Sequence, residues 1–424
     1  MWPIFAPSSP PVRIPGIPSR IPEQIPVSSA RVIIVVLVSE VLVFAGIFSF
    51  PALVPTFIDE WGLTYTQAGW VSGIYFAGYV ASVLTIVRMT EYIDARRIFM
   101  VSAALMCAAW FGFAYFAEGF WSALALRFLA GIGFAGTYMP GLRSMLDRVK
   151  PAQSRLVVTL YMAGATLGSG VSFLLAGEIG STFGWDSVFL AASAAAFVAL
   201  VLVGVFLRPV PKPPRKPSSA LSGVLGVFRN RRALGFVLAY GAHNWEVYTM
   251  NSWVVALLVF NLSLGNTAEP WITPTTVGSA IGILAIPTIL GGGSLSHRFG
   301  DRRVVSIAMV FSALGACAVG ALIGAPYSVL VILVLIYSVL VYADSPGLTS
   351  GAILAANEGQ TGDVMALHTL VGHLTAAVGP PVFGLVLDLT GGGTETRSWT
   401  IAFVCVGAIV ILGPIFLRAT IRQS

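Results

Sequence analysis

Five ionisable side chains sit in the middle of long apolar stretches: Glu40, Arg127, His243, Glu246 and Asp344. A charge in hydrocarbon costs about 2.5–3.5 kcal/mol on insertion scales, so such a group faces a cavity or a partner. The densest polar group is AHNWEVYTMNSW, with His243, Asn244, Glu246, Tyr248, Thr249 and Asn251. His243 and Glu246 are three residues apart and share a helix face. A His–Glu pair at mid-bilayer can bind and release a proton, or can lock its helix statically to a neighbour. Glu40 is a second proton or cation site, or the partner that neutralises Arg127. The Arg127 guanidinium can grip a carboxylate with two hydrogen bonds, or act as a structural cation. Asp344 precedes Ser345-Pro346-Gly347, a helix break that frees backbone carbonyls at depth. Tyr342 and Asp344 join the candidates there, and Tyr138 completes the set. Of the remaining histidines, His368 reads as a wet residue near a helix end and His373 as a packed one. Glu178 and Asp388 read as helix-end acids that reach water.

Side chains at such depth need spanning elements to hold them. Apolar residues make up 56% of the 424-residue chain and charged residues 10%, against about 25% charged in a soluble domain. One soluble core could not hide that much apolar surface, whereas hydrocarbon accepts it. A spanning helix takes about 20 apolar residues. Such runs lie near 31–56, 67–88, 97–117, 121–145, 155–181 and 186–207, then near 233–261, 274–296, 303–324, 326–355, 363–388 and 399–417. The fold class read from this pattern is all-α integral membrane, with twelve transmembrane helices in two six-helix halves. Residues 1–28 form a proline-rich tail expected to be disordered, 29–207 the first half, 208–232 a basic linker, 233–418 the second half, and 419–424 a short tail. No basic start followed by an apolar core marks a signal peptide. Cys107, Cys317 and Cys405 have neither metal-ligand nor disulfide spacing.

The net charge of +6 is a topology signal. With a cytoplasmic N-terminus, every Lys and Arg except Arg127 and Arg397 falls in a cytoplasmic segment, as the positive-inside rule requires. Both termini are then cytoplasmic and the membrane is the cytoplasmic (inner) membrane. Nucleic acid drops out as a partner, and the lipid bilayer takes its place. The halves are also related to each other. A shift of 206 positions lays Arg96-Arg97 on Arg302-Arg303, Pro140-Gly141-Leu142 on Pro346-Gly347-Leu348, and Glu40 on Glu246. Agreement in three helix pairs at one offset marks parallel copies of one unit.

Three motifs carry a family resemblance. GSLSHRFGDRR, Gly293 to Arg303, resembles the signature loop of the major facilitator superfamily, GxLaDRxGRR, with His297 in place of the acid and Arg298, Gly300, Arg302 and Arg303 kept. The first-half copy, VRMTEYIDARR, keeps an acid as Glu91 and the pair Arg96-Arg97 but loses the glycines. RFLAGIGFA from Arg127 fits the family's RxxxGxGxA pattern, and GPPVFGLVLDLTG from Gly379 resembles its GPPxxGxxxDxTG ending. The resemblance implies that spans one, four, seven and ten line a central cavity; the mid-span ionisable residues lie on those same four spans. The loop residues read as gate latches that bond carboxylates or helix C-terminal carbonyls.

The expected function is secondary active transport of a small solute by alternating access, coupled to protons, with an organic or inorganic anion as the solute. Two rivals stay open: a proton-antiport exporter of drugs or metabolites, and a membrane sensor or assembly factor on a transporter scaffold. Ser169 in GATLGSGVS stands where the family's exporter pattern has proline. No Walker loop, zinc cluster or nucleophile elbow is present to support an enzyme, so no cofactor or metal is expected. The unit can work as a monomer.

Overall fold

The computed structural model describes residues 29–212, 220–265 and 270–419. The 1–28 tail, the prolines of 213–219 and the end of the C-terminal tail lie outside the described residues. The first half holds α1 (Ser29–Phe44), α2 (Ser49–Ala52), α3 (Val54–Trp61), α4 (Tyr65–Met89), α5 (Ala95–Phe116), α6 (Phe120–Leu146), α7 (Ser154–Phe183) and α8 (Trp185–Phe206). The short helix α9 (Ala220–Val227) lies in the connection. The second half holds α10 (Arg231–Ser263), α11 (Pro274–Phe299), α12 (Asp301–Ala321), α13 (Tyr327–Tyr342), α14 (Ser345–Ala355), α15 (Thr361–Leu389), α16 (Thr396–Val410) and α17 (Leu412–Ala419).

Ten helical stretches among the described residues are long and apolar enough to cross a membrane, α13–α14 and α16–α17 each counting as one. The other two segments read as spans open the two halves, and each has a reason to fall short. Residues 29–61 are broken into three pieces. The 33-residue α10 carries the polar cluster around His243, which lowers its apolar content.

The start of several helices can be read from their caps. Thr64 and Gln67 form a reciprocal capping box at α4. Asp94 caps α5, Asn230 caps α10 and Thr273 caps α11. Gly62, at φ 60°, supplies the left-handed turn that ends α3. The break after α1 follows from proline chemistry. Pro51 has no N–H to give to the carbonyl four residues back, that of Ile47.

Glycines set how near the helices come. A Cβ on Gly131 of α6 would strike the Tyr75 carbonyl of α4, and one on Gly73 of α4 would strike the Ala377 carbonyl of α15. The first contact binds helices within one half. The second joins the two halves, and both work as small-residue packing does in membranes. Within the 208–232 connection, Val224 and Val227 of α9 pack on Ala233, Val237, Val364 and Leu367.

Candidate functional site

A cavity of about 440 Å³ lies between the halves. The first half lines it from the α1–α2 turn (Phe44, Ile47, Phe48), from α6 (Phe134, Tyr138) and from α7 (Met162, Thr166, Ser169). The second half lines it from α10 (Tyr240, His243, Asn244, Tyr248), from the α13–α14 break (Tyr342, Ser345, Pro346) and from His373 of α15. A second cavity of about 710 Å³ shares Val158, Met162, Ile289 and Pro346 with it and runs between α7 and α11 to His297. The central space therefore continues to the end of the bundle that carries the loops after Met89 and Phe299, the loop end.

At the opposite end the halves are clasped. The Asp388 carboxylate of α15 accepts the Tyr65 N–H (3.1 Å), the Thr66 N–H (2.8 Å) and the Thr66 hydroxyl (2.5 Å) at the start of α4. An acid at a helix N-terminus meets both free donors and the positive end of the dipole. Asp388, expected merely to reach water, is thus an inter-half contact. Below it Tyr248 packs on Phe76, ring centroids 4.2 Å apart, and His373 stacks on Tyr79 at 4.0 Å.

Of the site residues expected from the sequence, Tyr138, His243, Asn244, Tyr248 and Tyr342 line the cavity, while Glu40, Arg127, Glu246 and Asp344 stand behind its wall. The expected His243–Glu246 pair does not form. His243 Nδ1 lies 2.7 Å from Asp344 Oδ1. Glu246 accepts hydrogen bonds from Ser312 of α12 and Tyr337 of α13, each at 3.0 Å. Residues three apart lie about 60° short of a full turn and can diverge onto different neighbours. Asp344 reaches His243 because α13 stops at Tyr342 and α14 starts only at Ser345, and Asn251 bonds the Tyr342 hydroxyl at 3.1 Å beside that break.

Arg127 is fully buried but faces no part of the cavity. It donates to the Ile47 carbonyl (3.3 Å) and the Ser72 carbonyl (3.4 Å), with the Phe50, Tyr75 and Trp110 rings 5.2–5.8 Å from its guanidinium carbon. The carbonyl orphaned by Pro51 is the one it serves. Glu40 does not neutralise it, and neither Glu40 carboxyl oxygen has a hydrogen-bond partner among the described residues. His368 is a correction as well. It is buried at 2% exposure and stacks on Tyr240 at 3.7 Å, not wet.

In the first-half loop, Arg96 donates to the Val203 and Gly204 carbonyls at the end of α8. Glu91 and Arg97 are exposed. The acid that holds this loop is Asp94, which takes a two-pronged bond from Arg148 (2.8 and 2.9 Å) and the Val210 N–H (2.9 Å). Sequence reading missed it, although its place one residue before a helix start is an N-cap signature. In the second-half loop His297, Arg298, Gly300 and Arg303 are exposed and Arg302 half-buried; Asp301 accepts from Ser350 at 2.7 Å.

The fold and the chain both have relatives. Over 93% of this chain and 97% of the other, the structure resembles a bacterial homolog of the human lysosomal transporter Spinster in an inward-facing, occupied conformation, with a TM-score of 0.75 at 14% identity. A protein of Agrobacterium vitis described as "Putative tartrate transporter" is 25% identical over 84% of this chain and 83% of its own. A gallate transporter of Pseudomonas putida is 23% identical over 70% of this chain and 72% of its own. The family model of the Major Facilitator Superfamily matches residues 36–292, more than half of the sequence. This chain is a multi-pass membrane protein that belongs to the major facilitator superfamily of solute transporters.

Proposed function

We propose that the protein imports a small organic acid together with a proton, its halves 29–207 and 233–418 rocking about the shared cavity while 208–232 joins them. The observation that carries this reading is the His243–Asp344 pair at the wall of a cavity lined by both halves. A histidine is suited to exchange protons near neutral pH, and its counter-ion sits at a helix break, the kind of feature that marks binding sites in transporters. The relatives named for tartrate and gallate support an organic acid as the solute.

The placement of Lys and Arg makes the loop end cytoplasmic in an inner membrane, with both termini on that side. The described conformation is then open inward, and the Asp388 clasp is the closed outer gate. Arg96, Arg97, Arg302 and Arg303 belong to the inner gate, where their charges meet carbonyls or carboxylates as the loop end closes. A monomer suffices.

The test is uptake of labelled organic acids by proteoliposomes. An inward proton gradient should drive accumulation that a protonophore collapses. Accumulation untouched by a protonophore would remove the proton from the mechanism. Uptake confined to lipophilic cations, in exchange for protons, would replace the importer with an exporter.

A further inference from the structure

The clasp between the halves has a space of its own beside it. A cavity of about 310 Å³ is lined from the first half by Ile58 and Asp59 of α3 and Tyr65 of α4. From the second half it is lined by Phe260 of α10, Gly393 of the loop after α15 and Trp399 of α16. None of its described lining residues is Lys, Arg or His. Its acid is Asp59, which enters none of the ion pairs among the described residues. The neighbouring Glu60 already accepts from Trp185 Nε1 at 2.8 Å. Asp59 stands in the last turn of α3, which holds no basic residue. The negative end of the helix dipole therefore adds to its charge, and a cation from outside would offset both.

The rings of this wall are fixed by their neighbours. Trp399 Nε1 donates to the Gly393 carbonyl at 2.8 Å, Phe260 stacks on Trp399 with centroids 5.5 Å apart, and Tyr65 meets Trp399 edge-on at 6.3 Å. Gly391, Gly392 and Gly393 all take positive φ, and a Cβ on Gly393 would strike the Tyr65 ring. The glycine run thus lays a loop of one half against a ring of the other. A preorganised aromatic wall with one free carboxylate at its rim is complementary to an organic ammonium. The rings attract the charge through their quadrupoles, the carboxylate adds a Coulomb term, and the apolar surface accepts the alkyl groups. Asp59, Glu60, Glu118, Asp186 and Glu395 are exposed on this end of the bundle, with Arg397 as the exposed base among its described loops. Such a field gathers cations and opposes anions.

We infer that this cavity is a regulatory site for a small quaternary ammonium, whose binding holds the two halves clasped. It shares no lining residue with the central cavity, and the inference does not depend on what the solute is. Its wall is built from both halves, and Tyr65 gives its N–H to Asp388 at 3.1 Å. Parting α4 from α15 would carry Tyr65 away from Gly393 and Trp399 and dismantle the site. A ligand that binds the assembled form alone shifts the balance toward it. At ten times its Kd it multiplies the clasped-to-open ratio about 11-fold. Free amines and phospholipid headgroups both present this chemistry, and the surrounding lipid decides between them.

The experiment is calorimetry on the full-length protein in a maltoside detergent, with choline and its uncharged isostere 3,3-dimethylbutan-1-ol as the probes. Choline should bind, and the alcohol about 10-fold more weakly. Asp59→Asn should weaken choline about 2- to 5-fold and Phe260→Leu about 3- to 5-fold, each with its helical circular dichroism intact. Asp388→Asn, which alters no lining residue, should weaken it in proportion to the clasped population lost. Spin labels at the start of α4 and the end of α15 should show choline shifting the distances toward the clasped form. In vesicles, choline binding in phosphatidylglycerol but not in phosphatidylcholine assigns the site to a lipid headgroup, and binding in both assigns it to a free ammonium. No choline binding in detergent, or equal binding of the alcohol, overturns the inference. So does choline binding unchanged in both Asp59→Asn and Phe260→Leu, or spin-label distances that choline leaves as they were.

Discussion

Glu40 and Glu246 occupy corresponding places in the two halves, 206 residues apart, and their surroundings are opposite. Glu246 receives Ser312 and Tyr337 hydroxyls; Glu40 receives nothing among the described residues. The same shift explains the difference, since Ser312 falls on Met106 and Tyr337 on Gly131. The donors that satisfy one acid are a thioether and a hydrogen atom in the other half. Asp344 falls likewise on Tyr138, and Arg127 on Leu333. Two copies of one helix plan have become a braced half, built around an enclosed cation, and a polar half that holds the ionisable wall of the cavity. A matched position in a repeat therefore carries the geometry across, but not the chemistry.

The sharpest way to separate the halves is to remove the brace. Arg127→Ala leaves the Ile47 and Ser72 carbonyls unserved and empties a cage of three rings. It should cost about 3–5 kcal/mol in an unfolding titration, with solute affinity retained in whatever fraction stays folded. Lost affinity at full stability would return Arg127 to the binding site. The paired glutamates come next. Glu246→Gln replaces one of the two oxygens that accept from Ser312 and Tyr337 with a donor and should cost about 1–3 kcal/mol, whereas Glu40→Gln, with no such bond to lose among the described residues, should cost less. Equal costs would erase the asymmetry on which the comparison depends.

The loops differ in the same sense, and pH reports it. Burial opposes the Asp94 carboxylate, but Arg148 Nη2 and the Val210 and Arg96 N–H groups outweigh it and hold its carboxyl below the usual carboxylate range. With the folded value below the unfolded one, this stabilisation is complete above the ordinary carboxylate range and is lost as pH falls through the folded value. Acid melting curves should therefore be flatter in Asp94→Asn than in the native protein. The smallest effect is expected at the Asp388 clasp. Asp388→Asn should shift the balance between closed and open forms of that end by about 1 kcal/mol, visible as a changed distance distribution between spin labels at the start of α4 and the end of α15.

Much of this architecture was legible in the sequence because hydrophobic length and basic charge are first-order signals in a membrane. The spans emerged within a few residues of the helices, and the break at Asp344 followed from Ser345-Pro346-Gly347. His243, Asn244 and Tyr248 were legible as members of the densest polar group in the apolar stretches, and Tyr342 through its place beside that break. What could not be read was pairing across helices. His243 and Glu246 are neighbours in sequence, yet each meets partners about 70 to 100 residues away in the chain. Arg127 looked like an anion contact because its real partner, a carbonyl freed by Pro51, belongs to another helix. Asp388 looked like a helix-end acid because the α4 start that it clasps lies 322 and 323 positions away.

The central claim is that an acid crosses with a proton through His243 and Asp344. Its most direct measurement is the internal pH of proteoliposomes containing a trapped indicator, recorded as gallate is added outside with no gradient imposed. Acidification inside, above that of protein-free vesicles, is expected in the native protein and is expected to be absent in Asp344→Asn. Gallate entry with no acidification, or the same acidification in both proteins, would contradict it.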